Sequence, residues 1–237
     1  MDNTRPPLGR RLTPISRLLG CLAACCLASA ASRATTEDTQ VWTSLVISGR
    51  LDAESRWLYA FDAQARYVDQ AERLGVTVLR PAVGWRIDDT FDAYAGYAKI
   101  EIDNAARDIE EQRVWQQLSF KAGSPFGGPL SGRARLEQRW REGADDTGHR
   151  FRLQMRWTHP VASTGLGFVA WNEIFLTLND TDWGQVSGYD QNRAFVGLSY
   201  SLARQARLEG GYLYNHINGR VADHQNQVFS LIVAVTP

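Results

Sequence analysis

In residues 130–142 every second side chain is polar. Ser131, Arg133, Arg135, Glu137, Arg139 and Arg141 alternate with Leu130, Gly132, Ala134, Leu136, Gln138 and Trp140. In residues 149–160 the order reverses, with Arg150, Arg152, Gln154, Arg156 and Thr158 opposing Phe151, Leu153, Met155 and Trp157. A period of two places successive side chains on opposite faces of an extended strand, so each segment has one apolar wall and one cationic wall. A helix would scatter both sets around its axis.

The alternation recurs along the chain from residue 40. The segments are 40–51, 56–67, 72–87, 91–103, 109–121, 130–142, 149–160, 164–178, 188–202, 206–218 and 223–236. The separators collect Asp, Gly, Asn and Ser, as in Asp52-Ala53-Glu54-Ser55 and Asp88-Asp89, and Asn218-Gly219 reads as a two-residue hairpin turn. No capped helix and no strand-helix-strand spacing interrupts them, so the fold class is all-β and the chain is a meander. Two features break the pattern. Leu58 and Phe195 fall on the polar side of their segments, and 72–87 changes phase near Arg80-Pro81, as a bulge would make it do.

Residues 1–34 have a different character. Arg5, Arg10, Arg11 and Arg17 precede an apolar run from Leu18 to Ala28, and small residues follow. This is the pattern of a signal peptide, with cleavage expected near residue 30 or 34 and a barrel domain over 35–237. Cys21, Cys25 and Cys26 all lie in this leader, which removes a disulfide framework and a thiol nucleophile from the mature chain. Leu22-Ala23-Ala24-Cys25 also fits a lipoprotein box, so acylation of Cys25 stays open. The zero net charge depends on the leader: residues 35–237 keep 21 basic and 25 acidic side chains, the wrong balance for a nucleic-acid binder.

Alternation alone does not say which wall faces outward. A soluble barrel turns its apolar wall inward, and a membrane barrel turns it toward lipid. The segments are long enough for tilted membrane strands and too many for an eight-stranded soluble barrel. Trp57, Tyr67, Trp85, Trp140, Trp157, Tyr200 and Tyr214 gather near segment ends on the apolar side, as in interfacial girdles. The reading is a transmembrane antiparallel up-and-down β-barrel in the bacterial outer membrane, with lipid as its surroundings. Single-chain bacterial barrels have even strand counts, so twelve strands are expected and ten are the alternative, the long segment 72–87 being the place of difficulty. Links 161–164 and 203–205 are expected on the periplasmic side, and 143–148, 179–187 and 219–222 on the other.

A family resemblance rests on Arg133-x-Arg135-x-Glu137-x-Arg139, Arg150-x-Arg152, His159-Pro160, Asn172-Glu173, Asn192-Arg193 and Gly211-Tyr212. This pattern resembles the bacterial family named domain of unknown function 2490, over roughly residues 40–236. The resemblance implies an outer-membrane β-barrel and attaches no reaction to it.

On the lumen-facing parity stand Arg66, Arg80, Arg86, Arg113, Arg133, Arg135, Arg139, Arg150, Arg152, Arg156, Arg193 and Arg207. The acids given the same parity are Glu137, Glu173 and Glu209, with Gln117, Gln154 and Gln191 between. Arginine stays charged and binds carboxylate or phosphate with a planar fork, so one reading is a lumen that passes or binds small anionic solutes. The other is a sealed structural barrel in which Arg, Glu and Gln form a salt-bridged plug. A third, a lipid-hydrolysing barrel, rests on Tyr214-Asn215-His216-Ile217-Asn218-Gly219, which resembles the His-x-Ser-Asn-Gly stretch of outer-membrane phospholipases. Ile217-Asn218 follows His216 without the Ser, so His216 has no hydroxyl to activate. The reading is therefore non-enzymatic. His149, His159, His216 and His224 lack metal-ligand spacing, so neither metal nor cofactor is expected. Asp145-Asp146 and Asp180-x-Asp182 are acidic loop pairs.

Overall fold

Eleven strands follow the eleven alternating segments: β1 Thr35–Arg50, β2 Trp57–Val68, β3 Arg73–Arg86, β4 Phe91–Ile102, β5 Ile109–Lys121, β6 Leu130–Arg141, β7 Gly148–Pro160, β8 Leu166–Thr177, β9 Gly188–Ala203, β10 Ala206–Ile217 and β11 Asp223–Val235. The computed structural model describes residues 35–103, 108–161 and 164–237. The expected signal peptide lies outside the described residues. Sequential neighbours pair antiparallel, and the sheet closes into a barrel.

The count lies between the ten and twelve strands expected, and the reason is the seam. After an odd number of antiparallel strands the first and last run in the same direction. The ring then closes only through a parallel ladder, whose slanted hydrogen bonds pair the strands only slightly less stably per residue. β1 and β11 form that ladder, from Thr35 beside Asp223 to Ile47 beside Val235.

The segment 72–87 is one strand, and its apparent phase change has another origin. The register between β3 and β4 is unbroken across Arg80-Pro81, with Leu79 opposite Lys99 and Ala82 opposite Gly96. The irregularity sits at Gly75, where the β2–β3 register shifts between Arg66 and Tyr67. Val78, Arg80 and Ala82 all face inward and are buried. The inner wall is itself apolar along this part of the barrel, which is why alternating polarity failed there as a guide to facing. Leu58 and Phe195, the other exceptions, are buried inward-facing side chains of the same kind.

Charge lies inside and apolar surface outside. Glu137 is 0% exposed, whereas Val196 and Phe229 on the outer wall are 61% and 60% exposed. The expected girdle residues Trp57, Tyr67, Trp85, Trp140 and Tyr200 are exposed near strand ends, and Trp57 packs edge-on against Trp85 at 5.0 Å. Among the described residues no helix is long and apolar enough to cross a membrane.

Strand direction sorts the links onto two rims. The start of β1 shares one rim with links 69–72, 142–147, 178–187 and 218–222 and with the facing ends of β4 and β5. Links 51–56, 87–90, 122–129 and 204–205 and the facing ends of β7 and β8 share the other. The grouping agrees with the one read from link lengths. Asn218-Gly219 is part of a five-residue link and not a two-residue turn, since Ile217 ends β10 and Asp223 begins β11.

Candidate functional site: the arginine-lined lumen

Register decides which charges meet. Glu137 on β6 stands opposite Arg150 on β7, and Arg135 stands opposite Arg152. The Glu137 carboxylate accepts from Arg150 Nη2 at 2.7 Å on one oxygen and from Arg152 Nη1 at 2.7 Å on the other. Arg152 also donates to Glu173 on β8, at 3.0 Å from Nε and 2.8 Å from Nη2, so one guanidinium ties two buried carboxylates across three strands. Glu173 takes a second cation, Arg133, at 3.1 Å. Nearer the rim that carries link 178–187, Glu111 on β5 accepts both arms of Arg139, at 2.8 and 3.1 Å, and is bridged by Arg113 at 2.6 Å and Arg141 at 2.9 Å. Toward the other rim Glu209 pairs with Arg156 at 2.5 Å and Arg207 at 2.8 Å. Buried carboxylates held by several charge-assisted hydrogen bonds are tightly placed, because any rotation would strand a charge away from water.

The structure therefore brings together on the inner wall Arg113, Arg133, Arg135, Arg139, Arg150, Arg152, Arg156, Glu137, Glu173, Glu209 and Arg193, the residues that parity had placed there. It adds four charges, three of which parity could have supplied. Glu111 precedes Arg113 by two residues on the same face, and Arg141 follows Arg139 in the same way. Asp62 shares its face with Arg66 and bridges Arg80 at 2.8 Å. Asp190 reaches Arg150 at 3.3 Å beyond a register shift in β8–β9, which hides its facing from the alternation. Arg86 lies at the second rim beside Asp92, at 3.2 Å, and outside this network.

Aromatic rings complete the wall: Trp115 shares the parity of Arg113 and Gln117, and Phe175 that of Glu173. Arg66 and Arg193 lie over Trp42 at 4.0 and 4.9 Å, Arg135 over Trp115 at 4.0 Å, and Arg152 over Phe175 at 4.5 Å. Such cation–π contacts hold a guanidinium against an apolar surface while leaving its edge free to donate. Trp115 lies flat only because residue 96 is glycine: a Cβ there would come within 2.4 Å of the ring.

Among the described residues, two cavities meet in the middle of the lumen. The first, about 390 Å³, opens toward link 178–187 and is lined partly by Trp183 and Gln185 of that link. The second, about 230 Å³, lies toward the opposite rim and is lined by Glu173, Glu209 and Arg156. Trp42, Arg66, Arg80, Arg152 and Arg193 line both, so these five side chains form the partition between them. Arg80 and Arg152 have carboxylate partners. Arg66 and Arg193 have none within 4.0 Å among the described residues; their hydrogen bonds go to the amides of Gln64 at 2.7 Å and Asn215 at 3.3 Å. Among the described residues the buried Nε atoms of Arg66 and Arg80 have no hydrogen-bond partner.

Link 178–187 folds over the first rim. Trp183 lies over Arg139 at 5.0 Å and Arg141 at 4.3 Å, and donates from its indole nitrogen to the Asp146 carbonyl at 3.0 Å. Gly148 makes room for it, since a Cβ there would lie 2.5 Å from the ring. The acidic loop pairs serve the same link. The Asp182 carboxylate accepts the Asp145 and Asp146 amides at 2.9 and 3.3 Å, and Asp146 accepts the Asp182 amide at 2.8 Å. The Asp180 carboxylate accepts the Ser187 amide at 2.7 Å, which holds its pKa below the usual value. Among the described residues no group of three or more His, Cys, Asp or Glu is placed to hold a metal ion.

His216 sits on the outer wall near the first rim. Its ring stacks on Tyr189 at 5.8 Å, with Nδ1 2.9 Å from the Tyr189 hydroxyl and Nε2 3.4 Å from Asp223.

Residues 39–226 match the model of a family described as a protein of unknown function, DUF2490. The chain belongs to this family. An uncharacterized protein of Methylorubrum extorquens is 37% identical over 205 residues, covering 84% of this chain and 87% of the relative. Among solved structures, the NanC porin has a TM-score of 0.48 at 11% identity, covering 79% of this chain and 90% of that one. The siderophore receptor PirA from Pseudomonas aeruginosa has a TM-score of 0.27 at 14% identity, with 71% and 32% covered. In this DUF2490 barrel the inner wall just described is the only extended array of buried charge among the described residues, and it is the candidate site.

Proposed function

We propose that the barrel spans the bacterial outer membrane and that its lumen binds and passes small anionic solutes, without catalysis. The single observation that carries the reading is the partition, where Arg66 and Arg193 stand between two cavities with no carboxylate within 4.0 Å of either among the described residues. A buried guanidinium without an anion is costly, and a passing or resident anion supplies the missing partner. The rival, a sealed barrel, is favoured by the Glu137 and Glu173 bridges in the middle of the lumen and the Glu111 bridges nearer the first rim. Planar-bilayer reconstitution separates them. An anion-selective conductance supports the passage, and silence at every voltage leaves the sealed barrel.

Membrane placement has its own test. Val196 projects from the middle of β9 on the apolar outer wall. At a bilayer midplane Val196→Arg costs about 2–4 kcal/mol, and on a water-facing wall nearly nothing. Urea unfolding of the barrel refolded into lipid vesicles reads the difference. A neutral result removes the membrane from the proposal.

Export rests on residues 1–34, which we take as a cleaved signal. The intact mass of the protein recovered from outer membranes is expected to start near Ala31 or Thr35. A diacylated mass beginning at Cys25 would replace cleavage near residue 30 or 34 with lipid attachment.

A further inference from the structure

The larger cavity has two kinds of wall. On β5 to β7 it is arginine. On β3 and β4 it is aliphatic, with Val76 opposite Ile102 and Val78 opposite Ile100 in adjacent register. Val78 and Ile100 belong to an inward-facing apolar cluster that Ala98 and Trp115 complete, and Val76 and Ile102 extend it along the cavity. This arc faces the space that the guanidinium groups of Arg150, Arg152 and Arg193 also face. A passage built for hydrated inorganic ions or sugar acids gains nothing from such a surface, because wetting it is unfavourable and hydroxyl groups brought against it would lose their hydrogen bonds. An anionic head attached to a compact apolar body satisfies both walls at once. The cavity, about 390 Å³, falls in the range that holds molecules of this size.

We infer that the lumen selects amphipathic organic monoanions, a carboxylate or similar head on a small hydrocarbon or aromatic body, over polyhydroxylated acids of the same charge. The head lies at the partition, between Arg66 and Arg193, where the buried Nε atoms of Arg66 and Arg80 lack a partner and no carboxylate lies within 4.0 Å of Arg66 or Arg193 among the described residues. The body lies against Val78 and Ile100. The inference rests on the anion-binding reading above and adds to it the nature of the solute.

A matched pair of ligands tests it: cyclohexanecarboxylate and glucuronate share a six-membered ring and a single charge and differ chiefly in hydroxylation. The full chain in lipid nanodiscs, with empty nanodiscs as reference, is titrated with each by calorimetry, and bilayer selectivity is measured on the same preparation. Cyclohexanecarboxylate is expected to bind at least about tenfold more tightly, because the buried ring contributes apolar area that glucuronate lacks. In the double variant Val78→Thr with Ile100→Thr the difference is expected to disappear. The ligand comparison on the unmodified protein stands even where that variant fails to fold. Equal affinities together with an anion-selective current overturn this inference and leave the proposed function intact. No binding of either acid, with no anion-selective current, overturns both.

Discussion

Glu137→Ala is expected to lower the stability of the folded barrel by about 3–5 kcal/mol, the range for removing one partner of a buried charge network. The Glu137 side chain is fully enclosed and accepts hydrogen bonds from Arg150 and Arg152, while Arg113 and Arg135 stand at 3.7 and 3.9 Å. Deleting the carboxylate leaves four guanidinium groups facing one another with their common anion gone. The loss exceeds what an exposed ion pair shows, about 0–1 kcal/mol, because water cannot take over the abandoned donors. Glu137→Gln keeps the shape and one acceptor but loses the charge, and is expected to fall between. Combining Glu137→Ala with Arg150→Met should recover part of the loss, since it removes a buried guanidinium that has lost Glu137, while Arg152 stays on Glu173. Urea midpoints of the refolded barrel in vesicles measure all three. A change below about 1 kcal/mol for Glu137→Ala would show that the network is hydrated in the folded protein and that its bridges hold little of the structure.

The double variant Arg66→Gln with Arg193→Gln is expected to cut the anion-over-cation permeability ratio at least about tenfold. A unit charge about 6 Å from a passing ion, at an effective dielectric constant of about 40, is worth about 1.4 kcal/mol, or one factor of ten. Each charge favours the anion and opposes the cation by that amount, so two of them set the upper end of the ratio at about ten-thousandfold, before screening. The measurement belongs near 0.1 M salt, where the screening length is about 10 Å, because at 1 M it shrinks to about 3 Å and hides the effect. These two positions suit the test because neither holds a carboxylate in place, so the Glu137 and Glu173 bridges keep their partners. Arg133→Gln is the comparison: it removes one of the two cations on Glu173 and is expected to weaken folding more than selectivity. An unchanged permeability ratio in the double variant would falsify the role given to the partition.

Much of this architecture was readable before any coordinates. Arg133, Arg135 and Arg139 on β6, and Arg150, Arg152 and Arg156 on β7, alternate so cleanly that strand, facing and boundary follow together. Leu58, Phe195 and the residues of β3 were read less well, and for one reason. Alternation reports polarity, and polarity equals facing only where the inner wall is polar. Where Val76, Val78, Ile100 and Ile102 line the lumen, both faces of the strand are apolar and the signal vanishes. Glu111, Asp62 and Arg141 were within reach of the same parity argument, since each sits two or four residues from an inward arginine. Asp190 was not, because a register shift precedes it.

The sequence by itself determined the strands, their order around the ring and most of the charged residues that line the interior, since each of these depends on side chains two positions apart. Tertiary structure alone decided the rest. Closure at eleven through a parallel seam depends on the first and last strands meeting. The strand stagger then sets which guanidinium reaches which carboxylate across the barrel. By that stagger Arg152 received two carboxylates and Arg66 and Arg193 received none, and the aliphatic arc came to face the same cavity as the arginines. Long-range distances of this kind leave no trace in local spacing.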